Sequence, residues 1–272
     1  MILFPPAKIN LGLSILNKRI DGFHNLETVF FQLPFCDILE IVKNEKFHFQ
    51  ASGIEISGNE NDNLCIKAYN LLKTDFNLSP VSIHLHKIIP MGAGLGGGSA
   101  DGTYTLLILN ELFKLNLNAE QLRKYALILG SDCPLFVSKK PQKASSRGEI
   151  LEEIDLDLKG KFIHIVNIGV HISTKEAFEN LELGLNSTVK IAEILKQNLT
   201  LWQENLINDF EKPIFKKFPA LKELKQKIYQ NEAKYVSMTG TGSTIFGIYD
   251  QKPKLMFEND NKNILEKIVY IE

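Results

Sequence analysis

Cysteine is scarce in this chain: three residues, Cys36, Cys65 and Cys133, are widely spaced and odd in number. They make neither a disulfide framework nor a zinc site, and they suit a reducing, cytoplasmic setting. A surplus of one charge is lacking too. Lys+Arg 31 against Asp+Glu 32 leaves a formal net charge of −1, which gives no support for nucleic-acid binding through bulk positive charge. Apolar runs such as Leu106–Leu109 fall far short of the roughly 20 residues that a membrane span needs, so no membrane partner is expected. Met1–Pro6 has no basic n-region and carries two prolines, so it does not read as a signal peptide. Internal repeats and low-complexity stretches are also missing. What is present is 44% hydrophobic and 23% charged residues over 272 positions. That fills a core, excludes an acidic disordered chain, and fits one large α/β unit or two modest domains.

Lys8 to Leu16 alternates. Ile9, Leu11, Leu13 and Ile15 share one face of a strand, and Lys8, Asn10, Gly12 and Ser14 the other. The pattern predicts a half-buried strand with a lysine and an asparagine two residues apart on its polar face. Gly12 beside them leaves room for a ligand. Val81–His86 is a second such strand, with Val81, Ile83 and Leu85 inward. His84 and His86 share its polar face and read as solvated, because no third metal ligand is visible nearby.

A helix follows Ser99, and another runs over Ala119–Leu129 to Gly130, a C′ glycine. Asp132 lies in the next turn, with Pro134 keeping Cys133 extended. Beyond about Gly148 the texture changes. Phe162–Val170 reads as a strand and Thr174–Leu181 opens a helix. Longer helices cover Val189–Gln197 and Ala220–Ala233, the latter with a solvated lysine face. A glycine turn over Thr239–Ser243 separates a short strand start from an apolar strand. The whole predicts an α/β (α+β) chain of two lobes, 1–147 and 148–272.

Gly92-Ala93-Gly94-Leu95-Gly96-Gly97 matches G-x-G-x-x-G, but the context is wrong for a dinucleotide fold. Pro90 precedes it, and Phe113–Ala119 offers no acidic residue. A Walker A loop is absent, since Phe162 follows the pair Gly160-Lys161. The loop is still suited to phosphate. Five glycines in seven residues (Gly92, Gly94, Gly96, Gly97 and Gly98) let backbone N–H groups converge. They lead into a helix N-terminus, which favours an anion. Ser99 is the expected N-cap, its hydroxyl within reach of a phosphate or of magnesium. A plain capped turn would need fewer glycines.

Three segments carry a family resemblance. Pro90-Met91-Gly92-Ala93-Gly94-Leu95-Gly96-Gly97-Gly98-Ser99-Ala100-Asp101 resembles the phosphate loop of the GHMP kinases. Pro6-Ala7-Lys8-Ile9-Asn10-Leu11 is similar to their N-terminal motif, and Thr239-Gly240-Thr241-Gly242-Ser243 to their C-terminal glycine motif. Arg19-Ile20-Asp21-Gly22-Phe23-His24 and Gly130–Phe136 resemble one branch, whose members phosphorylate 4-diphosphocytidyl-2-C-methyl-D-erythritol in the non-mevalonate isoprenoid route.

The resemblance implies a two-lobe fold with the active site in the cleft between lobes. It also implies transfer of the ATP γ-phosphate to the 2-hydroxyl of a cytidine-diphosphate-linked substrate, with Mg2+ accompanying ATP. Lys8 and Asp132 match the catalytic pair. Asn63, Leu64, Pro90, Gly92, Gly94, Leu95, Gly96, Gly97, Gly98 and Ser99 match the ATP site, with Ser99 as the nominated metal contact. Asn10, Phe23, His24, Thr174, Phe178, Gly240 and Thr241 match the substrate side. Phe23 stands where the family often has Tyr, and Ala100 where Ser is common. Asp is a weak base, with a reference pKa of about 3.9, but a loose phosphoryl-transfer transition state asks for the hydroxyl proton only late. Another GHMP kinase or a silent member of the fold are the rivals. Phe23-His24 argues against the first, and the presence of both Lys8 and Asp132 against the second. The acting species is expected to be a monomer or weak homodimer.

Overall fold

The computed structural model describes residues 1–179, 181, 190–257 and 264–272. In chain order the strands are β1 (Ile2–Leu3), β2 (Pro6–Lys18), β3 (His24–Cys36), β4 (Ile38–Lys43), β5 (His48–Gly53), β6 (Val81–Lys87), β7 (Gln142–Ser145), β8 (Ile150–Glu153), β9 (Phe162–Asn167), β10 (Tyr235–Met238), β11 (Ile245–Tyr249) and β12 (Leu265–Tyr270). The α-helices are α1 (Leu64–Phe76), α2 (Gly97–Leu112), α3 (Ala119–Leu129), α4 (Thr174–Glu179), α5 (Ile191–Ile194), α6 (Trp202–Asn205), α7 (Glu211–Lys217) and α8 (Pro219–Gln230). These residues form two compact units that exchange segments of chain. One comprises 1–8, 35–91 and 96–139, and the other 9–34, 92–95 and the described part of 140–272.

The first unit is built on a mixed sheet, β1-β4-β6-β5, in which β5 runs parallel to β6 and the other pairs are antiparallel. As the alternation requires, Val81, Ile83 and Leu85 of β6 are buried, with Leu39 and Ile41 of β4 beside them. Helices α1, α2 and α3 pack on one another, and α2 lies against β4. Asn118 starts α3 with a capping box shared with Gln121. On the polar face of β6, His84 Nε2 and His86 Nδ1 each lie 2.9 Å from Ser52 Oγ, a partner from the neighbouring strand β5.

The second unit holds two antiparallel sheets, β2-β3-β7-β8 and β10-β11-β9-β12. Its core gathers Leu13 and Ile15 of β2 with Phe210, Ile214, Leu221, Leu224, Ile228, Met238 and Ile245. Helix α8 turns Leu221, Leu224 and Ile228 inward at helical spacing and packs on β10 and β11. Lys222 and Lys227 face solvent as expected, whereas Lys225 reaches Glu211 Oε2 at 2.6 Å.

Four local expectations change. β2 is not half-buried, because its polar face is covered as well: Lys8 is 3% exposed, Asn10 2% and Ser14 4%. Cys133 is not extended. It opens a 3-10 turn, Cys133–Val137, with Pro134 in the first positions, where its missing N–H costs nothing. Gly130 ends α3 in an extended rather than a left-handed conformation. Of the helix expected over Val189–Gln197, Val189 lies outside the described residues and only Ile191–Ile194 is α-helical.

Candidate active site

In the first unit the glycine loop meets Lys8. Gly96 adopts φ +70°, and a Cβ there would lie 2.9 Å from Lys8 Cγ and 3.1 Å from Phe136 Cζ. Glycine is therefore required twice, by backbone conformation and by the lysine stem. The next glycine is required by packing alone, since a Cβ on Gly97 would lie 2.9 Å from Ile89 Cγ2 and 3.0 Å from Lys87 Nζ. Gly98 differs, because its Cβ would meet nothing within 4 Å.

Helix α2 begins at Gly97. Its N-cap is Gly96, which offers no side-chain cap, so Ser99 is not the cap but a first-turn residue. The left-handed glycine does the turning that a capping side chain does elsewhere. The leading N–H groups of α2 are then left to whatever anion lies before them, with the helix dipole in its favour.

Lys8 Nζ lies 3.8 Å from Asp132 Oδ2. The lysine is buried, and that burial pulls its pKa below the ordinary value, partly opposed by the Asp132 charge. Asp132 heads the 3-10 turn without capping it, and its side chain is 38% exposed. Thr103 holds this turn in place: its hydroxyl lies 2.8 Å from Cys133 O and 2.9 Å from Ser99 O. A buried cation, an open carboxylate and an uncapped helix start therefore share one unit.

Beneath Gly97 sits an ion cluster that the sequence reading did not single out. Lys87 Nζ bonds Asp37 Oδ2, and Asp101 Oδ2 at 2.7 Å. Asp37 Oδ1 also accepts the N–H groups of Ile88 and Ile89 at 2.5 and 2.8 Å, just before Pro90. Asp101 Oδ1 is buried with no partner, and burial pushes that carboxyl upward. Asp101 closes the quoted phosphate-loop motif, which was a signal; Asp37 gave none.

Asn63 caps α1, its Oδ1 accepting the Cys65 N–H at 2.9 Å. Leu64 Cβ would lie 2.8 Å from a Cβ on Gly102, so α1 and α2 approach closely there. Asn63 also lines a cavity of about 540 Å³ together with Phe49, Ser52, Gly53, Ile54 and Asn59, a size suited to a small-molecule group.

In the second unit the remaining loop glycines meet the C-terminal glycine motif. A Cβ on Gly94 would lie 2.2 Å from Thr239 O, and one on Gly92 would lie 3.1 Å from His171 Cε1. Leu95 is fully buried. Gly240 is buried, its carbonyl accepting from Asn208 Nδ2 at 2.9 Å, and Thr241 is half-buried in the turn between β10 and β11. Asn10 sits between two threonines. Its Nδ2 donates to Thr28 Oγ1 at 3.0 Å, and its Oδ1 lies 3.2 Å from Thr239 Oγ1. Gly12 is not left open for a ligand. A Cβ there would lie 2.5 Å from Leu206 Cδ1 and 3.3 Å from Ile191 Cδ1, so the protein's own core fills the gap.

His24 stacks on Phe178, ring centroids 4.9 Å apart at 23°, and Phe178 meets Phe210 edge-on. Burial, with Lys18 nearby, lowers the His24 pKa, which favours the neutral imidazole. Phe23 points elsewhere: it is 53% exposed, with the Arg147 guanidinium 4.7 Å over its ring. Thr174 is exposed at the start of α4, one turn before Phe178. Arg147, Thr28 and Thr239 escaped the sequence reading. Thr239 stood inside a quoted motif, whereas Arg147 and Thr28 are brought to the site only by the fold.

A glycine-built, uncapped helix start next to a buried lysine and an open carboxylate is the equipment of a small-molecule kinase. The comparisons agree. Residues 63–140 match the GHMP kinases N terminal domain, and residues 186–259 match the GHMP kinases C terminal. The 4-diphosphocytidyl-2-C-methyl-D-erythritol kinase of Cytophaga hutchinsonii is 45% identical over 95% of this chain and 96% of its own length. That of Bacteroides thetaiotaomicron is 47% identical over 94% of each. A crystal structure of a 4-(cytidine 5'-diphospho)-2C-methyl-D-erythritol kinase superposes with a TM-score of 0.79 at 31% identity, covering 91% of this chain and 89% of that one. The chain belongs to the 4-diphosphocytidyl-2-C-methyl-D-erythritol kinase family of the GHMP kinases.

Proposed function

We propose that Lys8 and Asp132 carry the transfer of the ATP γ-phosphate to the 2-hydroxyl of 4-diphosphocytidyl-2-C-methyl-D-erythritol, a step toward isoprenoid precursors by the non-mevalonate route. The observation that supports these roles is the 3.8 Å separation of Lys8 Nζ and Asp132 Oδ2 next to Gly96. In the reaction the acceptor oxygen bonds Pγ, the bond from Pγ to the ADP oxygen breaks, and the hydroxyl proton leaves. Asp132 orients that hydroxyl and accepts its proton late, because the transition state is loose. Lys8 offsets the negative charge on the transferring group from a buried position where its charge is poorly screened. The N–H groups of Gly97, Gly98 and Ser99 hold the phosphates, and the cavity beside Asn63 and Leu64 takes the base of ATP.

Mg2+ needs no protein cage here. Among the described residues no three His, Cys, Asp or Glu side chains come together as a metal site. Mg2+ is commonly held by substrate phosphates and water with one or two protein oxygens. We assign the half-exposed Ser99 hydroxyl to that contact; the ion supplies charge neutralisation at the phosphates.

On the substrate side we assign Asn10, Phe23, His24, Thr174, Phe178, Gly240 and Thr241. His24 and Phe178 offer cytosine a neutral imidazole edge and an aromatic face. We propose an ATP-side lobe of 1–147 and a substrate-side lobe of 148–272, supported by the two family matches falling one on either side, although 9–34, 92–95 and 140–147 pack within the second compact unit. An ATP-consuming reaction and unpaired cysteines support a cytoplasmic setting. No helix among the described residues is long and apolar enough to cross a membrane. We take a monomer or weak homodimer as the acting species.

Phosphorus NMR of the product, formed from ATP and the cytidyl substrate, tests the assignment. A new monoester with the wild type, and at least about a hundredfold less of it per unit time with Asp132→Asn, is expected, since one catalytic proton acceptor contributes about 10²–10⁴-fold. Equal turnover by the variant would remove Asp132 from the chemistry.

A further inference from the structure

We propose that Thr28 is a positioning residue that fixes the donor–acceptor order of the Asn10 carboxamide. The inference rests on Asn10 as a substrate contact, the reading given above. Both residues are buried, Thr28 at 0% and Asn10 at 2% exposure.

The argument is one of hydrogen-bond polarity. Thr28 Oγ1 lies 2.5 Å from Gly12 O and 3.0 Å from Asn10 Nδ2. A carbonyl oxygen only accepts, so the single hydroxyl proton of Thr28 is committed to Gly12. Toward Asn10 the hydroxyl can then only accept. It requires a donor, and of the two ends of a carboxamide only the NH2 is one. If the amide turned over, its oxygen would face the lone pairs of Thr28 in a buried site, at the cost of an unmade bond. On the other side Thr239 has a single proton to share between two acceptors, so the order is set by Thr28. Thr239 Oγ1 accepts the Asn10 backbone N–H at 3.1 Å and lies within donating distance of Asn10 Oδ1 at 3.2 Å and of Gly94 O at 3.1 Å. The relay from Asn10 through Thr28 to Gly12 thus runs in one direction, and the amide is oriented before substrate arrives. A substrate hydroxyl at Asn10 meets a fixed pattern rather than an average of two, which is the benefit of a preorganised site.

The test is a comparison of steady-state kinetics for Thr28→Val, which keeps the shape and loses the hydroxyl, and Thr28→Ser, which keeps the hydroxyl. Thr28→Val is expected to raise KM for the cytidyl substrate by about tenfold, equivalent to about 1.4 kcal/mol, while KM for ATP stays within about twofold. Thr28→Ser should restore the wild-type value. In an Asn10→Ala background, Thr28→Val should add nothing to KM, because its route of action has gone. Amide proton exchange at the Asn10 side chain, followed by NMR, should be slow in wild type and Thr28→Ser and fast in Thr28→Val. If Thr28→Val does not fold, Thr28→Ala removes the same hydroxyl with less crowding and is read in its place. A folded hydroxyl-free variant with unchanged KM and slow exchange overturns the proposal. So does a Thr28→Ser variant as impaired as Thr28→Val. An Asn10→Ala variant with unchanged KM would instead remove Asn10 from the substrate site and overturn the kinetic half. The exchange data would still decide whether Thr28 holds the carboxamide.

Discussion

The stem of Lys8 fills the space that a side chain on Gly96 would take, its Cγ 2.9 Å from the would-be Cβ. The loop glycine is thus a condition for the position of the lysine.

Gly96 and Gly98 should therefore respond differently to alanine. Gly96→Ala strains a φ of +70° and displaces Lys8, so kcat should fall with some loss of thermal stability. At Gly98 the added Cβ meets only open space. Because Ala is favoured over Gly in a helix by about 0.8–1.0 kcal/mol, Gly98→Ala should be as stable as wild type or more so. Its KM for ATP should nevertheless rise, since the methyl would stand in the way of phosphate in the proposed ATP site. Calorimetry with ATP kinetics checks both; a Gly98→Ala protein that binds ATP normally would show that phosphate does not approach over Gly98.

Lys87 should matter chiefly for stability. Lys87→Met leaves Asp37 and Asp101 buried without their cation, and breaking a buried pair in this way costs about 3–5 kcal/mol. A large drop in Tm is expected. The double variant Lys87→Met with Asp101→Asn should recover part of it. A Tm within a degree or two of wild type for the single variant would deny the cluster a structural role.

His24→Ala and Phe178→Ala should each raise KM for the cytidyl substrate by roughly tenfold and leave KM for ATP nearly unchanged, on a stacking value of about 1–3 kcal/mol. Because the two rings stack on each other, the double variant should lose less than the product of the singles. Phe23→Tyr should be tolerated, since Phe23 is half-exposed and Arg147 can keep its place over the ring. Parallel losses toward ATP and the cytidyl substrate would mean a general folding defect instead.

His164 sets a pH dependence of stability. Its burial outweighs the bond to Glu266, and its pKa lies below the ordinary value. The unfolded chain then binds the extra proton more readily. Stability is complete above the unfolded pKa of about 6.5 and declines as pH falls from there toward the folded value. Urea unfolding at pH 7.5 and 5.5 should show the decline, and His164→Gln should make it shallower. An identical slope in the variant would assign the decline to other groups.

Much of this was legible in the residues, for identifiable reasons. The three quoted motifs are local, and local chemistry survives in sequence; so does the alternation that places Val81, Ile83 and Leu85 inward. The burial of Lys8 and Asn10 was not legible, because alternation separates two faces of a strand without saying what covers the second. Ser99 looked like an N-cap since a serine ahead of a helix usually is one, but Gly96 in the left-handed region starts the helix three residues earlier. Thr28 and Arg147 carry no local signal at all: 16 residues separate Thr28 from Gly12.

The weave of the chain sets a limit on cutting it. Asn10, Phe23 and His24 lie early in the sequence but belong with Phe178 and Thr239, because 9–34 is part of the second unit. Strands β2 and β3 form half of the sheet that β7 and β8 complete. A gene split at codon 148 would therefore give no pair of self-sufficient products. The downstream polypeptide would carry Gly240 and Phe178 but keep only β8 of the four strands in one of its sheets, and the upstream one would hold β2, β3 and β7 with β7 left as an unpaired edge prone to self-association. Activity should return only on co-expression, which makes this enzyme a natural scaffold for split-protein complementation.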